Sequence, residues 1–305
     1  MNNTELELLK IIADMEGTPD GAFNIRSNGE LASRQVTQNI NIKTKKDKSG
    51  IDIIIKAGTK GEKVHIPVII SETGLTELVY NDFYIGENCD VEIVAGCGIH
   101  NCGSEESRHD GIHTFFVGKN AKVKYVEKHF GAGDGVGGKN MNPATVINIE
   151  DGGYMEMETT QIEGIDSTDR STKATLANDA TLVIREKLMT HGTQTAKTDF
   201  TVDLNGENSS ANVVSRSVAK DNSYQLFLSK INGNNVCSGH TECDAIIMDN
   251  AKVSAVPEIT ANHIDASLIH EAAIGKIAGE QITKLMTLGL SEQEAEEQIV
   301  NGFLK

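Results

Sequence analysis

The feature that most limits the possible folds is a strand pattern of period two, which recurs from about residue 50 to 260. Segments such as 51–55, 91–94, 145–149 and 154–158 alternate in the way strands with one buried face do. Between them a turn rich in glycine, asparagine and aspartate recurs, with markers at Asn88, Asn120, Asp151, Asp179 and Asn208. The markers stand roughly 30 residues apart, a spacing typical of repeat proteins. We therefore expect a β-solenoid, with a large β-sandwich as the alternative.

Both ends of the chain show helical patterns instead. Thr4 and Glu7 form a predicted capping box for a short N-terminal helix. From about residue 265 an apolar stripe predicts helix again, and Ser291 with Glu294 predicts the cap of a last helix over 292–301. The predicted organisation is mainly β, in three parts: an N-terminal helix and lead-in (1–49), a β-solenoid core (50–262) and a small helical C-terminal domain (263–305).

Charge and composition narrow the classes of function. The net charge of −16 argues against binding nucleic acid or an anionic membrane, since both require a basic face. No segment approaches the ~18 apolar residues of a membrane span, and residues 1–17 lack the features of a secretion signal. We therefore expect a cytoplasmic protein, in which the five cysteines serve metal or thiol chemistry rather than disulfides.

A glycine-rich run over 131–140 contains the spacing G-x-G-x-x-G and nearly a phosphate-binding loop. However, Asn140 replaces the serine or threonine that would hold Mg²⁺, and Pro143 follows where a helix should run. The flanking segments resemble strands. The run is therefore predicted to be a flexible loop, and the chain is not expected to hydrolyse nucleotides itself.

A first group of possible metal ligands lies in the first half of the solenoid. Some of its spacings resemble those of metal ligands, although strand alternation could point the side chains to opposite faces. Buried structural roles are the alternative, because free cysteine often behaves as a small apolar residue. The group consists of Cys89, Cys97, His100, Cys102, His109 and His113.

A second and stronger group lies near the C-terminus. Cys237, His240 and Cys243 stand at i, i+3 and i+6, and His270 and Glu271 follow. Thiolate, imidazole and carboxylate can together hold a soft or borderline metal while leaving a position open. Alternation puts Cys243 on one strand face, whereas His270 and Glu271, at the start of the predicted helix, would lie about 100° apart.

The same part of the chain resembles the SufB/SufD family of iron–sulfur cluster scaffold proteins. The segments that carry the resemblance are 215–219, 242–248, 255–259, 270–272, 279–281 and 301–304. The resemblance implies a right-handed parallel β-helix with a helical C-terminal domain. It extends to the compact SufB-type proteins of archaea and other anaerobes, in which Cys243 and Glu271 match proposed cluster ligands. Ile269 departs from the glutamate that is common there.

The resemblance implies a scaffold without enzymatic activity of its own, which assembles a transient iron–sulfur cluster and passes it to apo-proteins. It implies a SufC-type ABC ATPase as partner and a homodimer that pairs C-terminal β-segments. Cys243 would be the principal thiolate, Glu271 and His270 weaker ligands, and Cys237 and His240 auxiliary groups.

Two alternative functions stay open. One is an interaction subunit of the ATPase complex without its own cluster, and the other is a β-helix carbohydrate-active enzyme, which the 4% aromatic content disfavours.

Overall fold

The computed structural model describes residues 1–15, 17 and 19–305. Two ten-stranded sheets face each other, and each coil of the chain adds one strand to each sheet. Sheet A has the spatial order β2 (Glu30–Gln35), β1 (Ala22–Ser27), β5 (Lys60–Ile70), β7 (Asp90–His100), β9 (Lys122–Ala132), β12 (Tyr154–Glu163), β14 (Thr181–Thr190), β16 (Ser209–Ala219), β18 (Cys237–Ile247) and β20 (Ala266–Gly275).

Sheet B faces sheet A, and its strands follow the same order of coils along the solenoid. Its strands are β3 (Ile40–Thr44), β4 (Gly50–Ile55), β6 (Thr76–Ile85), β8 (Ser107–Val117), β10 (Lys139–Met141), β11 (Ala144–Ile149), β13 (Ser167–Leu176), β15 (Thr195–Leu204), β17 (Tyr224–Gly233) and β19 (Lys252–Ala261). All pairings of these strands are parallel except β1 with β2 and β3 with β4. The predicted β-solenoid is confirmed, and its strands extend beyond residues 50–262 on both sides.

The core lies between the two sheets. Inward positions of both sheets contribute to one apolar cluster that includes Phe83, Phe115, Tyr125 and Phe200. Phe83 and Phe115, on β6 and β8, stack with their ring centroids 4.3 Å apart. Each coil therefore buries its inward side chains against the equivalent positions of the next coil. For this reason an alternation of inward apolar and outward polar residues is enough to specify each strand.

The recurring turns form one corner of the solenoid. Asn88, Asn120, Asp179 and Asn208 adopt positive φ, which asparagine and aspartate tolerate better than other side chains do. Their backbone N–H groups donate to the next coil, for example from Asn208 to Val236 at 2.7 Å. On the third marker coil Gly152, not Asp151, takes the positive φ. The predicted turn column is therefore confirmed with a shift of one residue on that coil.

One rung of sheet B is split into β10 and β11, which both pair with β8 and with β13. Pro143 lies at the interruption and has no backbone N–H to donate to the ladder, but its carbonyl accepts from the N–H of Ser171. The glycine-rich run over 131–140 ends inside this rung, in β10. Strands flank it on both sides, as predicted, and Gly133, Gly135 and Gly137 pack against the backbone of residues 101–105.

The N-terminal helix α1 (Asn3–Ala13) covers the outer face of sheet A at β1, β5 and β7. Gly96 permits this close packing, because a Cβ there would lie 2.3 Å from the carbonyl oxygen of Ile12. The predicted capping pair Thr4 and Glu7 is wrong. Asn2 caps the helix instead, and its side chain accepts from the N–H of Glu5 while Glu5 accepts from Asn2.

The C-terminal segment differs from the prediction in one element. The apolar residues from 266 to 275 form strand β20, not a helix, because pairing with β18 extends sheet A by one further coil. Helices follow only at α2 (Gly279–Met286) and α3 (Glu292–Phe303). The predicted cap of the last helix by Ser291 and Glu294 is confirmed. None of the described helices is long and apolar enough to cross a membrane.

Helix α3 packs on the outer face of sheet A. Val300 and Leu304 are buried there with Val218, and Ile246 and Met248 contact the same cluster. In the described part of the chain the last coil is the uncovered end of the solenoid, because β19 and β20 are the edge strands of their sheets. Several large apolar side chains of this coil are exposed: Val256, Ile259, Ile264, Ile269 and Ile274.

Candidate functional site

Strand β18 separates the predicted ligands of the C-terminal group by alternation. Cys237 and Cys243 project into the core with 6% and 1% exposure, and Ala245 is buried beside Cys243 as predicted. His240 lies at the opposite parity and projects to the outer face of sheet A. The spacing i, i+3, i+6 therefore does not gather a triad, because in a strand an odd step changes the face.

Strand β20 separates the other two residues in the same way. His270 pairs in register with Thr241, which is fully buried, and Glu271 pairs with Glu242. His270 therefore faces inward and Glu271 outward, about 180° apart rather than the 100° expected of a helix. Five predicted ligands thus form two sets: Cys237, Cys243 and His270 on the inner face, and His240 and Glu271 on the outer face.

The outer face brings together a third residue that the sequence did not single out. Donor atoms of His240, Glu242 and Glu271 all lie within 4.8 Å of one another. His240 Nε2 is 3.3 Å from Glu271 Oε2, and His240 Nδ1 is 3.0 Å from Asn212 Oδ1 on β16. Burial and the neighbouring Asp244 raise the pKa of Glu242. Glu242 could have been found from its period-two relation to His240, had residues 266–275 been assigned as a strand.

The Cys243 thiol is held in its protonated form. Burial, followed by the charges of Glu186 and Asp244, raises the pKa of Cys243 to about 12. Its neighbours in register are Ser215 on β16 and Ala272 on β20. Because metal ions bind the thiolate rather than the thiol, the Cys243 sulfur is a poor metal ligand as long as it stays buried in these surroundings.

Of the three predicted ligands on the inner face, His270 is the one that lies on the edge strand β20. Burial and the nearby His240 lower the pKa of His270, so that the imidazole is neutral near pH 7. Among the described residues, its buried Nδ1 atom has no hydrogen-bond partner. A neutral imidazole with a free nitrogen is suited to accept a proton or a metal.

The first predicted group is also divided by alternation. Cys97, His109 and His113 are buried in the core with 6%, 3% and 4% exposure. His100 and Cys102 lie at the surface, where Cys102 Sγ is 3.0 Å from His100 Nε2. Cys89 is buried elsewhere, and its thiol donates to the carbonyl of Lys56 at 3.1 Å.

The interior residues of this group belong to a buried polar network that the sequence did not reveal. Despite burial, His109 and His129 lower the pKa of Cys97 to about 7. Burial alone would lower the pKa of His109, but Cys97 and Glu77 raise it to about 10. Burial lowers the pKa of His113 to about 4. The thiol and the His109 imidazole therefore favour an ion pair inside the solenoid.

The network continues towards the C-terminal coils through Glu127, Arg170 and Glu186. Arg170 Nη1 donates to Glu127 Oε2 at 2.5 Å, and Arg170 Nε is 3.9 Å from Glu186 Oε1. Glu186 accepts from Ser215 Oγ at 2.7 Å, and Ser215 neighbours Cys243. A line of buried polar side chains therefore extends from Cys97 to the strand next to Cys243. The sequence gives no sign that three of these charged residues point inward, so they resemble ordinary surface residues: Glu127, Arg170 and Glu186.

Comparison with known proteins gives the family context of this arrangement. Residues 76–303 match the family described as "SUF system FeS cluster assembly, SufBD core domain". An iron–sulfur cluster assembly SufBD family protein of Methanocaldococcus jannaschii is 31% identical over 255 residues, 83% of this chain and 79% of the relative. Similar proteins of Archaeoglobus fulgidus and of Methanothermobacter thermautotrophicus strain Winter are 30% and 29% identical, over 80% and 78% of this chain. The alignments span 66% and 57% of those two relatives.

Proposed function

Because this chain belongs to the SufBD core family of iron–sulfur cluster assembly proteins, we propose that it is a scaffold on which a transient cluster is built and from which it is passed to apo-proteins. The cluster is cargo rather than a resident cofactor. The observation that supports this most directly is the position of Cys243, a thiol one strand from the uncovered edge of the solenoid. A thiol there is shielded until the last coil opens.

Cys243 is proposed as the principal thiolate ligand, with Glu271 and His270 as weaker ligands and Cys237 and His240 as auxiliary groups. Cys243 and His270 share the inner face, and His270 pairs with Thr241, two residues before Cys243, so these two can serve one cluster without a change of register. Cys237 faces the same way but lies six residues along the strand, about 20 Å from Cys243, so its auxiliary role is outside the ligand set. Glu271 can join them only if β20 rearranges or if a second subunit presents it. Mixed ligation of this kind holds iron less firmly than four thiolates, which suits a cluster that must leave.

The proposed partner is a SufC-type ABC ATPase that docks on the helical C-terminal region and supplies all ATP hydrolysis. The proposed assembly is a cytoplasmic homodimer that joins the uncovered C-terminal coils. Edge strands offer free backbone donors and acceptors, and this coil also exposes Val256 and Ile259 by 52% and 45%. Such an edge is best protected by pairing with another strand.

Cys243→Ala is the variant that tests this function. Anaerobic reconstitution with iron and sulfide, alone and with the ATPase, should yield a cluster on the wild type and none on the variant. Circular dichroism should show the same strand content for both, and Cys89→Ala is the matched control for loss of a buried thiol far from the edge. Unchanged iron and sulfide content in Cys243→Ala would overturn the assignment.

A second function deserves its own test because Cys243 is so well buried. The chain could be an interaction subunit of the ATPase complex that carries no cluster. Iron and acid-labile sulfide measured on anaerobically purified complex separate the two functions. The scaffold function is favoured if the complex contains acid-labile sulfide that belongs to no other subunit. The carbohydrate-active alternative is set aside, since the family is one of cluster assembly.

A further inference from the structure

The outer-face group of His240, Glu242 and Glu271 has the geometry of a metal site. The two glutamates are direct neighbours in register on β18 and β20, and His240 lies two residues before Glu242 on the same face. Their donor atoms fall within 4.8 Å of one another without any departure from strand geometry. The three side chains are therefore held by the sheet itself rather than by a loop.

The orientation of His240 creates an electrostatic problem that a cation would solve. Asn212 Oδ1 can only accept, so His240 Nδ1, 3.0 Å away, must carry the proton. In the neutral imidazole the lone pair of Nε2 then faces Glu271 Oε2 at 3.3 Å, another acceptor. Two acceptors at this distance repel unless a proton or a metal ion lies between them. Asn212 thus plays the part that outer partners play at histidine metal ligands, by fixing the tautomer.

The charges around the group also favour a bound cation. Glu242 and Glu271 place like charges at directly paired positions, which destabilises a strand pair. Asp244 adds a further carboxylate on the same face, and two basic residues lie nearby: Arg216, the neighbour of Asp244 in register on β16, and Lys305, which lines the same pocket as Glu242. A divalent cation would neutralise the two glutamates and leave the Arg216 side chain to Asp244.

The donor set also selects the kind of cation. Two carboxylates and one imidazole without a thiolate suit a borderline first-row ion, and three protein ligands leave positions open for exchange. We propose that His240, Glu242 and Glu271 form a loading site for Fe²⁺ on the outer face of sheet A, separated by the sheet from the Cys243 thiol. This inference rests on the proposed scaffold function, and it adds Glu242 as a ligand and the opposite face as the place where iron binds first.

Binding of metal without sulfide tests the site directly. Equilibrium dialysis and electron paramagnetic resonance of the full chain with Mn²⁺, repeated with Fe²⁺ under anaerobic conditions, should give one ion per chain. Glu242→Gln should weaken both affinities at least tenfold, and His240→Gln should do so as well. Glu258→Gln is the matched control, because Glu258 is an exposed strand carboxylate that pairs with Lys230 away from the group. Thermal unfolding checks that each variant is folded.

The outcomes separate this site from the scaffold function. Cys243→Ala should bind Mn²⁺ like the wild type while losing cluster reconstitution, which places the metal on the other face. Equal affinity of wild type and Glu242→Gln, or no binding of either ion at millimolar concentration, would overturn the loading site and leave the scaffold function standing. Loss of reconstitution in Glu242→Gln only at limiting iron supports the loading site.

Discussion

Cys243 and Glu271 lie on neighbouring strands of one sheet but project from its opposite faces. Cys243 is 1% exposed in the core, whereas the Glu271 side chain is 66% exposed on the outside. One iron ion cannot contact both while β20 keeps its register with β18. Any cluster that uses both residues therefore requires movement of the edge strand or a second subunit.

The five cysteines should differ sharply in reactivity. Cys102 is the exposed one and the other four are buried, and burial holds the Cys243 pKa at about 12. At pH 8 we expect a thiol reagent such as iodoacetamide to modify Cys102 first and Cys243 only after unfolding. Peptide mass spectrometry over time measures the order. Rapid labelling of Cys243 in the folded protein would show that the last coil opens readily.

Arg170 should be essential for the stability of the buried network. Arg170→Met leaves the carboxylates of Glu127 and Glu186 buried without their cation, which costs about 3–5 kcal/mol. The exposed pair of Arg185 and Glu156 provides the control, and Arg185→Met should cost less than about 1 kcal/mol. Urea unfolding followed by circular dichroism compares them. Similar losses for both variants would contradict a special role of the interior pair.

Stability should fall in mild acid because of His113. Its folded pKa is about 4, below the ordinary value of 6.5, so its contribution is complete above pH 6.5 and is lost as the pH falls towards 4. Between pH 7 and 5 we expect the free energy of unfolding to drop by about 2 kcal/mol from this group. The raised pKa of His109 acts only above pH 6.5, in a separate window.

His113→Gln isolates that contribution. Glutamine retains hydrogen-bonding capacity towards Asn81 and Tyr125 but does not titrate. The variant should be less stable at pH 7, and its urea midpoint should change less between pH 7 and 5 than that of the wild type. An equally steep change in the variant would assign the acid sensitivity to other groups.

The uncovered last coil should control self-association. Val256→Lys with Ile259→Lys places two charges on exposed apolar positions of β19 and should convert the proposed dimer to a monomer. Val146→Lys, on the solenoid wall at 38% exposure, is the control and should leave the mass unchanged. Light scattering after gel filtration gives the masses. A dimer that survives the double substitution would place the interface elsewhere.

The solenoid could be predicted from the sequence because its two signals are local. Inward and outward residues alternate, and Asn88, Asn120, Asp179 and Asn208 mark turns whose backbone conformation favours asparagine and aspartate. The sequence of the last coil wrongly predicts a helix, because residues 266–275 are rich in alanine and isoleucine and form the edge of a sheet, where exposure weakens the alternation. Their strand conformation depends on β18, which lies about 30 residues away.

The candidate site was less predictable, because ligand spacing has a different meaning in a strand. The spacing of Cys237, His240 and Cys243 suggests a triad, but alternation along a strand places His240 on the opposite face. The pairing of Glu242 with Glu271 cannot be predicted while residues 266–275 are assigned to a helix. The interior residues Glu127, Arg170 and Glu186 could not be recognised at all. Their burial follows from the parity of each strand relative to both sheets, which requires the register of several coils.

From β12 to β20 the neighbouring strands pair in register over nearly their full lengths, with one irregularity, on the β9 side of β12. Each coil is therefore a unit that can be removed or duplicated while every remaining contact keeps its kind. The distance from the helix-covered N-terminal end to the edge that carries the proposed ligands changes in whole coils, not in single residues. Evolution of this architecture can therefore lengthen or shorten the solenoid by whole coils while both ends stay unchanged.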